Sequence, residues 1–321
     1  MTYALAAGNT AVLKVSELAP RSLGVVGTVF REAGLPAGVL NVIQSTPEDA
    51  AEITQKLIAH PAVKKINFTG STNVGRIIAK LAAENLKPVL MELGGKAPAI
   101  VLDDADLELA AQGCALGSFM HSGQICMSTD RIIVQKSVSE KFTEHLKVAI
   151  ESLFPSSGEA LVCITPAGAK KNKALIKDAK AKGAEVVFGD INAEEPAPER
   201  MRPVVMKGIK KGMDMYYTEA FGPTVALMEV ETEKEAIQLA NDTEYGLASA
   251  VFTKDLARGL RVAKKIETGA VHINAMSVHD EPLLPHGGAK SSGWGRFGTC
   301  GIDEWVRTKT ITFQNGFVAG K

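Results

Sequence analysis

Cysteine is scarce in this chain: four in 321 residues, Cys114, Cys126, Cys163 and Cys300, with no CxxC pair. That argues against a disulfide-stapled scaffold and a thiolate zinc site, and it points to a reducing compartment, the cytoplasm. Neither sign of charge is in excess, with 36 Lys plus Arg against 36 Asp plus Glu, and no basic block or basic-aromatic alternation occurs. The electrostatic footprint of a nucleic-acid or anionic-membrane binder is therefore missing. Long apolar runs are missing too. Nothing approaches the roughly 18 apolar residues of a membrane span, and the opening "MTYALAAGNTAVLK" has neither the charged leader nor the apolar stretch of a signal peptide. None of the six histidines stands at metal-ligand spacing with another ligand type, so no metal is expected. What remains is a soluble chain whose partner is a small molecule.

The length exceeds the size at which single cores usually stop growing, about 250 to 300 residues, so two domains are expected. Short β-rich runs alternate with helical patterns, the signature of parallel α/β layers. Strands are predicted over 10–15, 38–43, 63–69 and 87–93, and helices over 22–34, 47–60 and 71–85, with a proline opening the second helix and Gly34 closing the first. The aliphatic stripe of 141–154 reads as a core-facing helix, and the Pro/Glu-rich 193–200 as an exposed loop. The chain enters its first strand within ten residues, as though inside a β-α unit, which raises the expectation that earlier strands belong upstream.

Three stretches carry chemistry. In "FTGSTNVGRII" a strand runs through Gly70 and Ser71 into a helix whose free N–H groups and dipole suit an anion, although without GxGxxG or a P-loop lysine it reads equally as an ordinary helix start. "MELGGKAP" puts a carboxylate, Glu92, at a strand end before two glycines. That fits a general base with open backbone beside it for a ligand, or a merely solvated side chain. "SGQICMSTDR" sets Cys126 among small polar residues, accessible as a nucleophile or else inert and buried. Cys114, Cys163 and Cys300 read as packing residues, and His286 of "PHGG" as a loop residue rather than a ligand or base.

Taken together with "ALAAGNTAVLK", "TEAFGPT", "YGLASAVFT" and "PHGGAKSSGWGRFG", and in this order with this Glu92-to-Cys126 spacing, these stretches resemble the NAD(P)-dependent aldehyde dehydrogenase superfamily over essentially the whole chain. The look is closest to its salicylaldehyde, vanillin and benzaldehyde branch. The resemblance implies an incomplete Rossmann-type cofactor domain over 1–93, an α/β catalytic domain over 94–296, and a tail over 297–321 whose "TKTITF" segment is an oligomerising strand. It also implies Cys126 as the nucleophile and Glu92 as the base that hydrolyses a thioester. Gly70 and Ser71 would meet the pyrophosphate with Val74 packed beside it, Lys14 and Glu17 the adenosine ribose, and Glu219 and Phe221 the nicotinamide side. The carboxylate of Glu17 favours NAD over NADP.

The chain departs from the family pattern as well. Val15 replaces a customary proline, His121 and Ser122 replace a common asparagine-glutamine pair, and the stretch around 154–168 is short. The resemblance places the oxyanion-hole asparagine upstream of Met1, leaving the Cys126 amide as the remaining donor, and loss of one such donor typically costs about 10²- to 10³-fold in rate. Two readings follow. One is an NAD-dependent oxidation of an aromatic aldehyde by a homo-oligomer; the other is a truncated, inactive relative that associates with a full-length one.

Overall fold

The structure, a computed structural model, describes residues 1–314 without the side chains of Thr299 and Cys300, so the packing role expected of Cys300 lies outside the described residues. Its largest element is a seven-stranded sheet in the order Ala270–Ile273, Ala248–Phe252, Ala97–Val101, Thr129–Gln135, Thr224–Val230, Val204–Lys207 and Glu185–Phe188. All neighbours are parallel except the last pair. A parallel sheet covered by helices on both faces needs apolar strands throughout. Ala97–Val101, Thr129–Gln135 and Ala248–Phe252 are accordingly buried at every position.

Alternation sorts those strand residues between two cores. Ala99, Val101, Ile132 and Val134 meet the helices Leu107–Phe119 and Lys136–Leu153 through Cys114, Phe119, Phe142, Leu146 and Ile150. Ile100, Leu102, Ile133 and Val251 meet the helices Glu233–Asn241 and Leu256–Ala263 on the other side. Cys114 is thus a packing residue of the first core, and the stripe over 141–154 is the buried side of the helix Lys136–Leu153.

The preceding part of the chain forms two separate ladders. Ala11–Lys14 pairs in parallel with Leu40–Ile43. Ile66–Thr69 pairs in parallel with Val89–Glu92, and the late strand Gly293–Trp294 returns to lie antiparallel along Val89–Glu92 with Gly293 opposite Glu92. The helices Pro20–Glu32, Ala50–Ala59 and Thr72–Glu84 follow the expected positions within a few residues. A short helix at Thr2–Ala6 precedes the first strand, which the sequence pattern did not indicate. Val15, the replacement for a proline, is buried and donates its N–H to Ile43 O at 3.0 Å, a bond proline could not make. The loop expected over 193–200 is present up to Glu199 but exposed only at Glu194, Pro196 and Pro198; Glu195 turns inward to meet Arg202 at 2.8 Å, and Arg200 opens the short strand Arg200–Met201. Residues 306–314 run without regular secondary structure and leave Ile311 and Phe313 exposed. Among the described residues, no helix is long and apolar enough to cross a membrane.

Candidate active site

Strand Val89–Glu92 delivers Glu92 at its buried end. The chain then passes through Gly94 and Gly95, where no side chain fits. A Cβ on Gly94 would stand 2.7 Å from the Glu219 carboxylate, and one on Gly95 would stand 2.2 Å from the Cys126 carbonyl oxygen. The paired glycines let Glu219 and the Cys126 backbone close onto the strand end. Glu219 Oε1 accepts from the Gly95 N–H at 2.7 Å, which fixes the carboxylate there.

Cys126 reaches this point by a strained turn. His121, Ser122 and Gly123 adopt φ of 51°, 60° and 68°, three successive left-handed residues. Histidine and serine enter that region at some cost, and a Cβ on Gly123 would stand 2.3 Å from Gly222 O. Gln124 holds the turn from outside, donating to Val162 O at 3.0 Å and accepting from Ile164 N–H at 2.7 Å.

The Cys126 thiol is pushed up to about 11, chiefly by burial and then by the negative charges of Glu92 and Glu219; the N–H groups of Cys126 and Met127 oppose them. At neutral pH this sulfur is therefore protonated, and it becomes a nucleophile only when a neighbour accepts its proton. Burial pushes the Cys114 and Cys163 thiols up as well, opposed at Cys163 by Lys171 and Lys173.

A buried ion pair lies directly behind Glu219. Lys96 Nζ meets Asp130 Oδ1 at 2.9 Å and donates to Thr218 O at 2.7 Å, while Asp130 Oδ2 accepts from Ala220 N–H at 2.8 Å. The segment 218–220 is thus anchored from both flanks of Glu219. Burial holds the Glu219 carboxyl above the usual range and lowers Lys96. Phe221 follows in a left-handed conformation, φ 45°, with its ring partly exposed. Sequence reasoning missed Lys96 and Asp130, although Lys96 adjoins the paired glycines.

The residues expected to hold a dinucleotide fall into groups. Lys14 and Glu17 are ion-paired, and Ser45, which no sequence signal singled out, donates its hydroxyl to Glu17 Oε1 at 2.9 Å. The Lys14 contact holds the Glu17 carboxyl below its ordinary range. Ser71 caps the helix Thr72–Glu84 by accepting from the Val74 N–H at 3.4 Å, and Val74 is exposed beside it. Gly70 fits because the Phe68 ring occupies the space a Cβ would need, 2.6 Å away. Free N–H groups at a helix start suit a pyrophosphate and an ionised carboxylate suits ribose hydroxyls, so the donor set fits a dinucleotide. Among the described residues, no three His, Cys, Asp or Glu side chains could hold a metal ion.

His286 lies outside the named strands and helices, as expected of a loop residue, and it faces Glu92. Its Nε2 lies 3.3 Å from Glu92 Oε2. Neither carboxylate oxygen of Glu92 has an aligned hydrogen bond.

A model of the aldehyde dehydrogenase family matches residues 1–311. The chain belongs to the aldehyde dehydrogenase family. It is 46% identical over 318 residues to a vanillin dehydrogenase of Pseudomonas fluorescens, an alignment covering 97% of this chain and 65% of the relative. To a salicylaldehyde dehydrogenase of Pseudomonas putida it is 42% identical, over 98% of this chain and 66% of the relative. The crystal structure of a salicylaldehyde dehydrogenase from Pseudomonas putida G7 complexed with salicylaldehyde superposes with a TM-score of 0.90 at 41% identity, covering 97% of this chain and 66% of that one. The fold is that of the aldehyde dehydrogenases, mixed α/β with a large parallel sheet. The chain spans about two-thirds of the length of these relatives, 65% and 66% in the two sequence matches.

Proposed function

We propose that this aldehyde dehydrogenase family member oxidises an aromatic aldehyde to its carboxylic acid with NAD. The observation that carries the reading is the convergence of Glu92, Glu219 and Cys126 across the Gly94-Gly95 backbone, with both carboxylates acting on one thiol. The names of its relatives, vanillin and salicylaldehyde dehydrogenases among them, support the aromatic class.

Cys126 acts first. Its proton passes to a neighbouring carboxylate, for which Glu92 is the candidate, and Sγ adds to the aldehyde carbon to give a thiohemiacetal. The amide of Cys126 donates toward the resulting oxyanion. A dinucleotide held by these residues would supply the hydride acceptor needed to take this adduct to a thioester. Once Glu92 has released that first proton to solvent, it takes a proton from water, the hydroxide adds to the thioester carbon, and the C–S bond breaks to return the thiolate and release the acid.

Lys14, Glu17 and Ser45 are assigned to the adenosine ribose, Gly70 and Ser71 with Val74 to the pyrophosphate, and Glu219 with Phe221 to the nicotinamide side. An ionised Glu17 accepts from a 2′-hydroxyl and repels a 2′-phosphate, which supports NAD over NADP. We keep the domain limits at 1–93, 94–296 and 297–321, the tail segment "TKTITF" pairing with another subunit of a cytoplasmic oligomer.

The test is NADH formation at 340 nm from the purified chain with salicylaldehyde, vanillin or benzaldehyde, beside Cys126→Ser. NADH that vanishes in the variant supports the reading. A folded sample that gives none with any of these aldehydes overturns it and favours an inactive chain that docks on a full-length relative. The exposed Val25, Val29, Ile311 and Phe313 are the observation behind that second reading.

A further inference from the structure

Glu92 is deeply buried, and its two oxygens have no aligned hydrogen-bond donor, an unusual state for a buried carboxylate. Among the described residues, one side chain stands within ion-pairing distance of it. His286 is brought there by the segment that returns along strand Val89–Glu92 and pairs Gly293 with Glu92.

The backbone around the imidazole has little freedom. His286 and Phe297 exchange backbone hydrogen bonds at 3.2 and 2.7 Å. A Cβ on Gly287 would stand 2.3 Å from Gly295 O, and one on Gly288 would stand 2.5 Å from Ser292 O. His286 also lines a cavity of about 230 Å³, together with Asp280, Glu281 and Met1. The residue therefore borders both the buried carboxylate and a space large enough for water.

We propose that His286 is a positioning residue for Glu92: its Nε2–H, 3.3 Å from Oε2 and not aligned on it at rest, tightens onto that oxygen during the reaction and leaves Oε1 for the hydrolytic water, and protonation of the ring converts that hold into an ion pair that takes the carboxylate out of use. The inference rests on Glu92 being the base of the proposed reaction. No atom leaves the pair: the water proton moves to Oε1, and the imidazole changes charge only by exchange with solvent in the cavity.

The charges around the ring agree in direction. The contact with Glu92 raises the imidazole above its ordinary range, helped by Asp280, whose Oδ1 is 4.0 Å from Nδ1, and opposed by burial and by Arg296. Arg296 is itself engaged with Gly288 O and Gly295 O. Glu281 and Met1 line the same cavity, and Cys126, which feels the Glu92 charge, is a neutral thiol. Because the folded ring holds its proton more tightly than the unfolded one, the ion pair is complete at low pH and is lost as pH rises through the folded value. Deacylation should accelerate over the same interval.

Two measurements on the full chain test this. The first is a ¹H–¹⁵N imidazole titration of wild type and Glu92→Gln, with His286→Gln supplying the assignment; His286 should titrate at a higher pH when Glu92 carries its charge. The second is p-nitrophenyl acetate hydrolysis from pH 5 to 9 beside Cys126→Ser, where the burst reports acylation and the steady state deacylation. Wild type should show a steady-state limb that rises with pH. His286→Gln, which keeps a donor but does not titrate, should lose the limb and retain the rate at high pH. His286→Phe should lose about tenfold in deacylation with the burst preserved, the effect of one hydrogen bond to a charged group.

Identical His286 titrations in wild type and Glu92→Gln, or an unchanged limb in His286→Gln, overturn the proposal and leave the enzymatic reading standing. If wild type hydrolyses the ester no faster than Cys126→Ser, the reading beneath it falls too.

Discussion

A thiol held at about 11 by burial and by two carboxylates is a paradox for a nucleophile, because each carboxylate that could accept its proton also opposes the thiolate. The paradox resolves if the proton passes to a neighbour only as the sulfur attacks. It also makes a prediction whose sign is fixed. Removing the negative charge in Glu92→Gln lowers the thiol toward its ordinary range, and one neighbouring charge is worth about a unit or more. Iodoacetamide should therefore alkylate Cys126 about tenfold faster at pH 8 in the variant, while aldehyde oxidation falls. Equal alkylation rates would show that the Glu92 charge does not reach the sulfur. The glycines allow a second check by the same assay. In Gly95→Ala the new Cβ cannot coexist with the Cys126 carbonyl 2.2 Å away, so the backbone must move. Displacements of that size near a reacting centre cost about 10²-fold, and alkylation of Cys126 should lose its wild-type pH dependence.

Elements carry these residues into register, and here the sequence was unevenly informative. The strands and helices up to Glu92 were legible within a few residues because apolar periodicity, Pro starts and Gly ends mark them locally. The convergence of Glu92, Cys126 and Glu219 was legible only through the family resemblance, since nothing local in three distant segments says that they meet. His286 stayed hidden for the same reason. Its contact with Glu92 depends on Gly293–Trp294 returning to Val89–Glu92, a long-range pairing that two-residue strands do not announce. Lys96 was hidden by its chemistry: a lysine after two glycines reads as a surface residue, yet it is wholly buried on Asp130 and ties the starts of two central strands to the 218–220 segment. Breaking such a pair from one side strands a buried charge, at a cost of about 3–5 kcal/mol. Lys96→Met should lower the urea midpoint accordingly. A loss below about 1 kcal/mol would mean that water reaches Asp130 once the lysine is gone.

Among the described residues burial is uneven: the large sheet is covered on both faces, and a smaller core of Ile58, Ile78, Ala82, Met91 and Leu93 lies under the helices 50–59 and 72–84. Strand Thr129–Gln135 is buried at all seven positions, whereas the helix Pro20–Glu32 has no buried residue and leaves Val25 and Val29 exposed at 57% and 56%. Segments open at free energies that follow the apolar contacts they would lose, from near zero to the global stability. Hydrogen-deuterium exchange should therefore run through the helix 20–32 at least ~100-fold faster than through 129–135. Cys126 and Glu219 stand on the protected side of that gradient, and Lys14 and Glu17 on the labile side. The thiol chemistry should consequently survive mild urea that already abolishes dinucleotide binding. Equal protection of the two segments would show that the first ladders are held by contacts other than apolar burial. Selective protection of 20–32 on adding a full-length aldehyde dehydrogenase would instead place a partner on that helix, and would separate a docking role for this chain from turnover of its own.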